Sequence, residues 1–141
     1  MGAATVSTKR PTATQTPDGA MLTLDPTINA PRLARDFLVK CFCDLGIADD
    51  YVGQTVVSEL VTNVYKHVRT GQIVVRIFTD DHDGSVVVEV SDQGENMPVI
   101  REAENSDLSG RGLYIMSMLV RAWGVRPTNN GGKTVWVKLD R

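Results

Sequence analysis

Two stretches of the chain place apolar side chains four residues apart, the spacing that lines one face of an α-helix. The first stripe covers residues 33–45 and the second covers residues 52–64, where further valines widen the apolar face. Gly46 and Gly71 follow the two stripes, and glycine is a common residue at the end of a helix. We therefore predict two consecutive amphipathic helices, the second of which stops at Gly71.

Shorter runs of apolar and β-branched residues predict strands on both sides of these helices. The runs are residues 21–24, 72–79, 85–91, 123–125 and 133–139. Asp83 and Gly84 lie between the second and third runs, and an Asp-Gly pair in that position favours a β-hairpin. A third helix is predicted to begin at residues 110–112.

The predicted order is strand, helix, helix, strand, strand, helix, strand, strand. That order fits an α/β fold, a two-layer sandwich in which a mixed sheet carries the helices on one face. Residues 1–19 are rich in threonine, alanine and proline and have almost no large apolar side chains, so we expect a disordered tail. Residues 20–141 would then form one domain, which is usual for a chain of 141 residues.

Composition and charge argue against several classes of protein. The net charge is −2, with 42% hydrophobic and 23% charged residues, and no basic run of the kind that binds nucleic acid is present. No apolar stretch approaches the roughly 20 residues of a membrane span, and the first residues lack a signal-peptide core. Cys41 and Cys43 point in different directions on a predicted helix and cannot easily form a disulfide. We expect a cytoplasmic protein without nucleic-acid or membrane partners.

A row of polar side chains runs along the second predicted helix. Glu59, Asn63 and His67 follow one another at steps of four, so they share one face. Such a row commonly faces water and does nothing else. It can also bind a hard cation, which prefers oxygen ligands, beside a carboxylate that takes up a proton. The spacing alone leaves both interpretations open.

Two glycine-containing motifs flank a long polar loop after the predicted hairpin. Asp92 ends a strand and Gly94 follows, so a carboxylate can accept a hydrogen bond from an amine while a flat ring approaches the backbone. Gly110, Arg111 and Gly112 open the third predicted helix and offer a phosphate backbone amides and a guanidinium. Each motif by itself is also typical of an ordinary turn.

The order and spacing of these motifs resemble one known family. The chain has Glu-x-x-x-Asn on a helix, Asp-x-Gly after the hairpin, Gly-x-Gly before a helix, and Lys133 with Thr134 at the start of the last strand. This arrangement resembles the Bergerat-fold (GHKL) ATPases and kinases, which include gyrase B, MutL and the histidine kinases. Within that family, the chain is similar to the anti-sigma-factor serine kinases of the RsbW and SpoIIAB type, over roughly residues 20–140.

The resemblance implies a site for ATP and Mg²⁺. Glu59 would be the general base, Asn63 would hold the metal ion, and Asp92 would accept the amino group of adenine. Residues 99–109 would form a short lid over the phosphates, and Thr134 would contact adenine. The other cofactor-binding residues that the resemblance implies are Lys66, His67, Gly94, Asn96, Gly110, Arg111, Gly112 and Leu113.

The chain departs from the family pattern at two positions. Asn96 stands where the family commonly has the second glycine of Asp-x-Gly-x-Gly, and Val64 stands where a small alanine is common. Asparagine tolerates a left-handed backbone better than most residues, so nucleotide binding is expected to survive. Neither departure removes an atom to which the resemblance assigns a chemical role.

The resemblance implies a serine/threonine kinase that sequesters a sigma factor and phosphorylates an antagonist protein of the STAS type. A homodimer through the N-terminal strand and the sheet face is also implied. An alternative is a nucleotide-gated module that binds a partner without significant kinase activity. A third interpretation, the catalytic half of a histidine kinase, is weakened because no dimerisation helix or phosphoacceptor histidine region precedes the domain.

Overall fold

The computed structural model describes residues 11–68, 71–92, 117–129 and 131–141. In chain order, the elements of these residues are β1 (Thr12–Thr16), β2 (Gly19–Leu24), α1 (Ala30–Asp44), α2 (Tyr51–His67), β3 (Ile73–Thr79), β4 (Val86–Ser91), β5 (Ala122–Pro127) and β6 (Lys133–Leu139). The two predicted helices and five predicted strands therefore form, with small differences at their ends. The start of the predicted third helix, the polar loop and the lid lie outside the described residues.

The strands form one sheet in the order β1-β2-β3-β4-β6-β5, with α1 and α2 packed on one face. The predicted α/β fold class, a two-layer sandwich, is confirmed. The prediction of a mixed sheet is wrong for the described strands, because all five neighbouring pairs are antiparallel. Two helices, and not one, connect β2 to β3, and β3 pairs antiparallel with β2.

Residues 12–16 form the edge strand β1, so the predicted boundary of the tail at residue 19 is wrong for this segment. A two-residue turn places Thr16 opposite Gly19 and lets β1 pair with β2 along its whole length. The strand buries almost no apolar surface, and its threonines are β-branched residues with a high strand propensity. Backbone hydrogen bonds to β2 hold β1 in place, and a count of large apolar side chains does not detect such bonds.

The core lies between the helices and the sheet. The buried face of α1 includes Ala34, Leu38 and Phe42, so it is displaced by one position from the centre of the predicted stripe. The buried face of α2 includes Val56 and Leu60 and agrees with the predicted stripe. Neither described helix combines the length and the apolar character that a membrane span requires.

The other face of the sheet carries a buried carboxylate between two arginines. Glu89 on β4 accepts a 2.8 Å hydrogen bond from Arg76 on β3 and a 3.0 Å hydrogen bond from Arg126 on β5. A buried carboxylate is costly unless it is paired, and here both oxygens have partners. Glu89 therefore fixes the alignment of three strands and marks the sheet face that lies away from the helices.

Candidate functional site

Two groups of described residues make up the candidate site, and they lie in different layers. The helix side consists of Glu59 and Asn63 on α2. The strand side consists of Asp92 after β4 and of Gly132, Lys133 and Thr134 at the start of β6, with Ser91 beside them. Because α2 packs against both β4 and β6, the two sides lie in adjoining layers of the sandwich.

On the helix side, Glu59 has the character of a proton acceptor. Its side chain is half-buried, and this burial raises the pKa of its carboxyl above the ordinary value, while the nearby charge of Lys66 lowers the pKa by a smaller amount. A carboxylate with a raised pKa holds a proton more firmly and is a stronger base. The predicted role of Glu59 as a general base is compatible with this environment and stays a prediction.

Asn63 lies one helical turn from Glu59 and carries an orphaned polar atom. Its Oδ1 is buried and accepts no hydrogen bond from the described part of the chain. A buried acceptor without a partner costs about 1–3 kcal/mol, so such an atom calls for an explanation. An amide oxygen is a ligand that Mg²⁺ accepts, and the orphaned atom therefore fits the predicted metal ligand.

A cation bound by Asn63 would need further ligands, and the described residues do not supply them as a cluster of side chains. Within the described ranges, no group of three or more histidine, cysteine, aspartate or glutamate side chains is placed to hold a metal ion. Magnesium in proteins commonly keeps several waters and uses one or two protein ligands together with substrate phosphates. The amide of Asn63 suits that kind of site better than an all-protein cage.

Lys66 and His67 lie in the last turn of α2, and both are exposed. The charge of Lys66 complements the negative end of the helix dipole, which is a sufficient structural reason for a lysine at this position. The predicted position of these two side chains beside the phosphates stays a prediction.

On the strand side, Asp92 is buried and paired. Its side chain is 1% exposed, and its Oδ2 lies 2.8 Å from Nζ of Lys133, whose side chain is 18% exposed. The backbone N–H of Asp92 also donates to the carbonyl oxygen of Lys133 at 3.0 Å. The sequence identified Asp92 but assigned Lys133 no role, and the only available signal was its position next to Thr134.

Thr134 and Ser91 form a second polar pair. They are register partners on β6 and β4, and their hydroxyl oxygens lie 2.7 Å apart. Side chains alternate along a strand, so this pair lies on the sheet face of Glu89, away from the helices. Lys133, and not Thr134, is therefore the β6 residue whose side chain reaches Asp92, and the contact of Thr134 with adenine stays a prediction.

Gly132 allows the start of β6 to approach Asp92 closely. A Cβ atom on this residue would lie 2.1 Å from the carbonyl oxygen of Asp92 and 3.1 Å from its Oδ1. Any side chain at position 132 would therefore displace the backbone that holds the carboxylate. The sequence predicts only a turn here, because the contact joins residues that are distant along the chain.

An open polar cleft of about 470 Å³ lies between α1 and α2 and reaches Glu59. Arg35 on α1 crosses it and donates a 3.0 Å hydrogen bond to the Ser58 hydroxyl on α2. The cleft gives the Glu59 carboxylate access to solvent from the helix side. Six of the predicted site residues lie outside the described ranges: Gly94, Asn96, Gly110, Arg111, Gly112 and Leu113.

Comparisons with known proteins agree with the motifs. A family model for the histidine kinase-like ATPase domain matches residues 24–139. The chain is also similar to a crystal structure of the RsbU and RsbW domains of a protein from Mycobacterium tuberculosis, with 26% identity and a TM-score of 0.60. That match covers 94% of this chain and 32% of the solved chain, so this chain spans about a third of its solved relative. The search of curated proteins gave no match. The resemblance stated from the sequence is thus confirmed.

Proposed function

Because the chain belongs to the histidine kinase-like ATPase domain family, we propose that it is an ATP-dependent serine/threonine protein kinase that acts as an anti-sigma factor. It would bind ATP with Mg²⁺, phosphorylate an antagonist protein of the STAS type, and sequester a sigma factor. The observation that carries the proposal is the buried, orphaned Oδ1 of Asn63 on the helix that also presents Glu59. An asparagine whose amide oxygen already accepted a hydrogen bond from the protein would give no indication of a cation site.

Recognition of the base would fall to the strand side. Asp92 would accept a hydrogen bond from the amino group of adenine, and guanine, which carries a carbonyl at that position, could not donate one. Gly94 would let the ring approach the backbone, and Thr134 would be a further contact. The close approach at Gly132 supports this assignment, because it holds the backbone of Asp92 in one position.

The phosphates would lie toward the helix side. Asn63 would supply one oxygen ligand to Mg²⁺, which when bound neutralises phosphate charge during transfer. Gly110, Arg111 and Gly112 would contact the phosphates through amides and the guanidinium, together with Asn96, Leu113, Lys66 and His67. Residues 99–109 would cover them.

Glu59 would take the proton from the attacking hydroxyl of the protein substrate. Its half-buried position supports this role, because burial raises the pKa of its carboxyl and makes the carboxylate a better proton acceptor. The cleft between α1 and α2 offers the acceptor segment a route to Glu59. General-base catalysis by a positioned carboxylate typically contributes about 10²–10⁴-fold to the rate.

The regulatory part of the proposal draws on the similarity to a protein that contains RsbU and RsbW domains. A sigma factor and a STAS-type antagonist would be the protein partners, in the cytoplasm. A homodimer through the N-terminal strand and the sheet face would complete the assembly. The described part of β1 supports an edge that is available for pairing, because β1 has a neighbour in the sheet on one side only.

Transfer of label from γ-labelled ATP to a purified STAS-type antagonist tests the proposal, with the modified residue located by mass spectrometry. We expect label on serine or threonine, and a loss of about 10²–10⁴-fold in rate for Glu59→Gln. Asp36→Asn, which removes an exposed carboxylate on α1, is the matched control and should leave the rate unchanged. Partner capture that responds to ATP, without any label on the antagonist, would favour the nucleotide-gated binding module instead.

A further inference from the structure

Lys133 is the charged partner of the one carboxylate that the proposed function assigns to adenine. Its Nζ lies 2.8 Å from Oδ2 of Asp92, and both side chains are largely withdrawn from solvent, with exposed fractions of 18% and 1%. The two residues are 41 positions apart along the chain. The pair therefore exists only in the folded domain, where β6 begins beside the end of β4.

A buried carboxylate behaves very differently with and without a cation beside it. Removal of one partner from a buried ion pair leaves a carboxylate that turns toward other donors. A displaced carboxylate would no longer present an acceptor at the same place. The ammonium of Lys133 therefore maintains the position of the Asp92 carboxylate.

The bond from Lys133 is compatible with a second bond from a ligand. An ionised carboxylate can accept about four hydrogen bonds, and Lys133 donates to Oδ2. The side chains of Lys133 and Thr134 point to opposite faces of the sheet, because neighbouring residues of a strand alternate. Lys133 is thus the β6 side chain on the side of Asp92, whereas Thr134 is bonded to Ser91 on the other face.

The same strand provides a comparison. Lys138, near the other end of β6, also pairs with carboxylates, those of Asp80 and Asp83 in the β3–β4 hairpin, at 2.9 and 3.3 Å. Those partners are 21% and 35% exposed, so water can take over if the lysine is removed. Asp92 is almost fully buried, so water cannot replace a removed lysine there in the same way.

We propose that Lys133 is a positioning residue for base selectivity, which holds the Asp92 carboxylate where it accepts the amino group of adenine. This inference rests on the proposed function, because it presupposes that Asp92 contacts adenine. It extends that function to a side chain with no assigned role in nucleotide recognition. Lys133 acts through Asp92 and need not touch the nucleotide itself.

The test compares two ligands in the presence of Mg²⁺: ATP, and purine riboside triphosphate, which lacks the amino group. Calorimetric titration of the native protein should show a preference for ATP of about tenfold or more, the size expected for a hydrogen bond to a charged acceptor. In Lys133→Met this ratio should fall to about one, mainly through weaker binding of ATP. Lys133→Arg, which keeps the charge, should restore most of the preference.

Lys138→Met is the matched control, since it removes a paired lysine from the same strand and should keep the native ratio. Melting curves without ligand establish that each variant is folded. If Lys133→Met does not fold, Lys133→Gln takes its place, and part of the preference should be lost because a neutral donor bonds the carboxylate more weakly than an ammonium does.

Two results would overturn the inference and leave the proposed function intact: a native ratio in the folded Lys133→Met protein, or equal losses of affinity for both ligands. Equal losses would assign Lys133 a purely structural role. A native protein that binds both ligands equally, or neither, would instead contradict the adenine contact of Asp92, and the inference would fall with it.

Discussion

On the strand side of the candidate site the described polar side chains are paired, whereas the helix side contains a buried oxygen without a partner. Asp92 is bonded to Lys133, and Thr134 shares a hydrogen bond with Ser91. Asn63 Oδ1 is just as inaccessible to water, yet it accepts no hydrogen bond from the described residues. The two sides lie in adjoining layers of the same small domain.

This difference matches two kinds of recognition. A base is recognised by the shape of the site and by hydrogen bonds, so the groups that read it work best when the fold already holds them in place. A cation brings a charge that the protein cannot supply, so its ligand must remain available until the cation binds. The strand side, whose polar side chains are paired, would recognise the base. The helix side, which contains an unpaired buried oxygen, would bind the metal ion. The predictions below alter one side at a time.

The largest effect is expected from Gly132→Ala, which acts on the strand side. A Cβ atom would lie 2.1 Å from the carbonyl oxygen of Asp92, and backbone cannot move away as a flexible side chain can. Overpacking of this kind costs about 1–3 kcal/mol of the free energy of unfolding, and ATP binding should weaken as well. Urea denaturation together with calorimetric titration measures both quantities.

Gly84→Asn is the control for Gly132→Ala. Gly84 has a left-handed backbone, with a φ of 73°, and no atom lies within 4 Å of an added Cβ. It lies in the β3–β4 hairpin, and asparagine tolerates this conformation. The control should keep its ATP affinity, and an unaltered affinity in Gly132→Ala would mean that the close approach has no part in nucleotide binding.

A smaller effect is expected from Asn63→Ala, which acts on the helix side. Because Oδ1 has no partner in the described part of the chain, its removal breaks no hydrogen bond there and should not lower the free energy of unfolding. The gain in ATP affinity on adding Mg²⁺ should shrink by about tenfold, since the amide would be a ligand of the metal ion. Titrations with Mg²⁺ and with a chelator measure this gain.

Gln54→Ala is the matched control for Asn63→Ala, because Gln54 is also an amide on α2 but already donates to Asp50 at 3.0 Å. It should retain the full effect of Mg²⁺. If Asn63→Ala also retains that effect, Asn63 is not a metal ligand and the contrast between the two sides loses its explanation.

The smallest effect concerns the pH dependence of stability. Burial raises the pKa of Glu59 above its ordinary value of 4.5, so the folded protein keeps a proton that the unfolded chain has already released. The free energy of unfolding contributed by this group therefore falls as pH rises through and above that value. Glu59→Gln removes the titration, so the melting temperature of the variant relative to the native protein should rise between about pH 4 and about pH 7.

Melting curves at several pH values measure this difference. The control is Asp36→Asn, whose exposed carboxylate lies on α1. A difference between Glu59→Gln and the native protein that does not change with pH would show that burial does not perturb the Glu59 carboxyl.

Most of the fold could be predicted because the helices, the strands and the hairpin depend on residue patterns within short stretches of the chain. The apolar stripe of α2 and the Asp83-Gly84 hairpin depend on residues near one another in the chain, and both form as predicted. The edge strand β1 was missed because backbone pairing with β2, and not apolar burial, holds it. The antiparallel pairing of the strands joins segments that are distant along the chain, which residue patterns do not encode directly.

The same distinction applies to the site. Glu59 and Asn63 could be identified as site residues from their spacing on one helix, and Asp92 could be identified from its position after a strand. The ion pair between Asp92 and Lys133 joins residues 41 positions apart, so no local pattern reveals it. The requirement for glycine at position 132 likewise depends on the carbonyl oxygen of Asp92 across the sheet. Long-range contacts of this kind become visible only in the folded structure.

The measurement that tests the central claim most directly is a thermal melt with ATP and Mg²⁺, beside GTP and an Asp92→Asn variant. ATP at about 100 times its dissociation constant should add about 2.7 kcal/mol of stability, which corresponds to several degrees for a domain of this size. The account predicts that this shift is absent with GTP and lost in Asp92→Asn. An equal shift with GTP, an undiminished shift in Asp92→Asn, or no shift with ATP would contradict it.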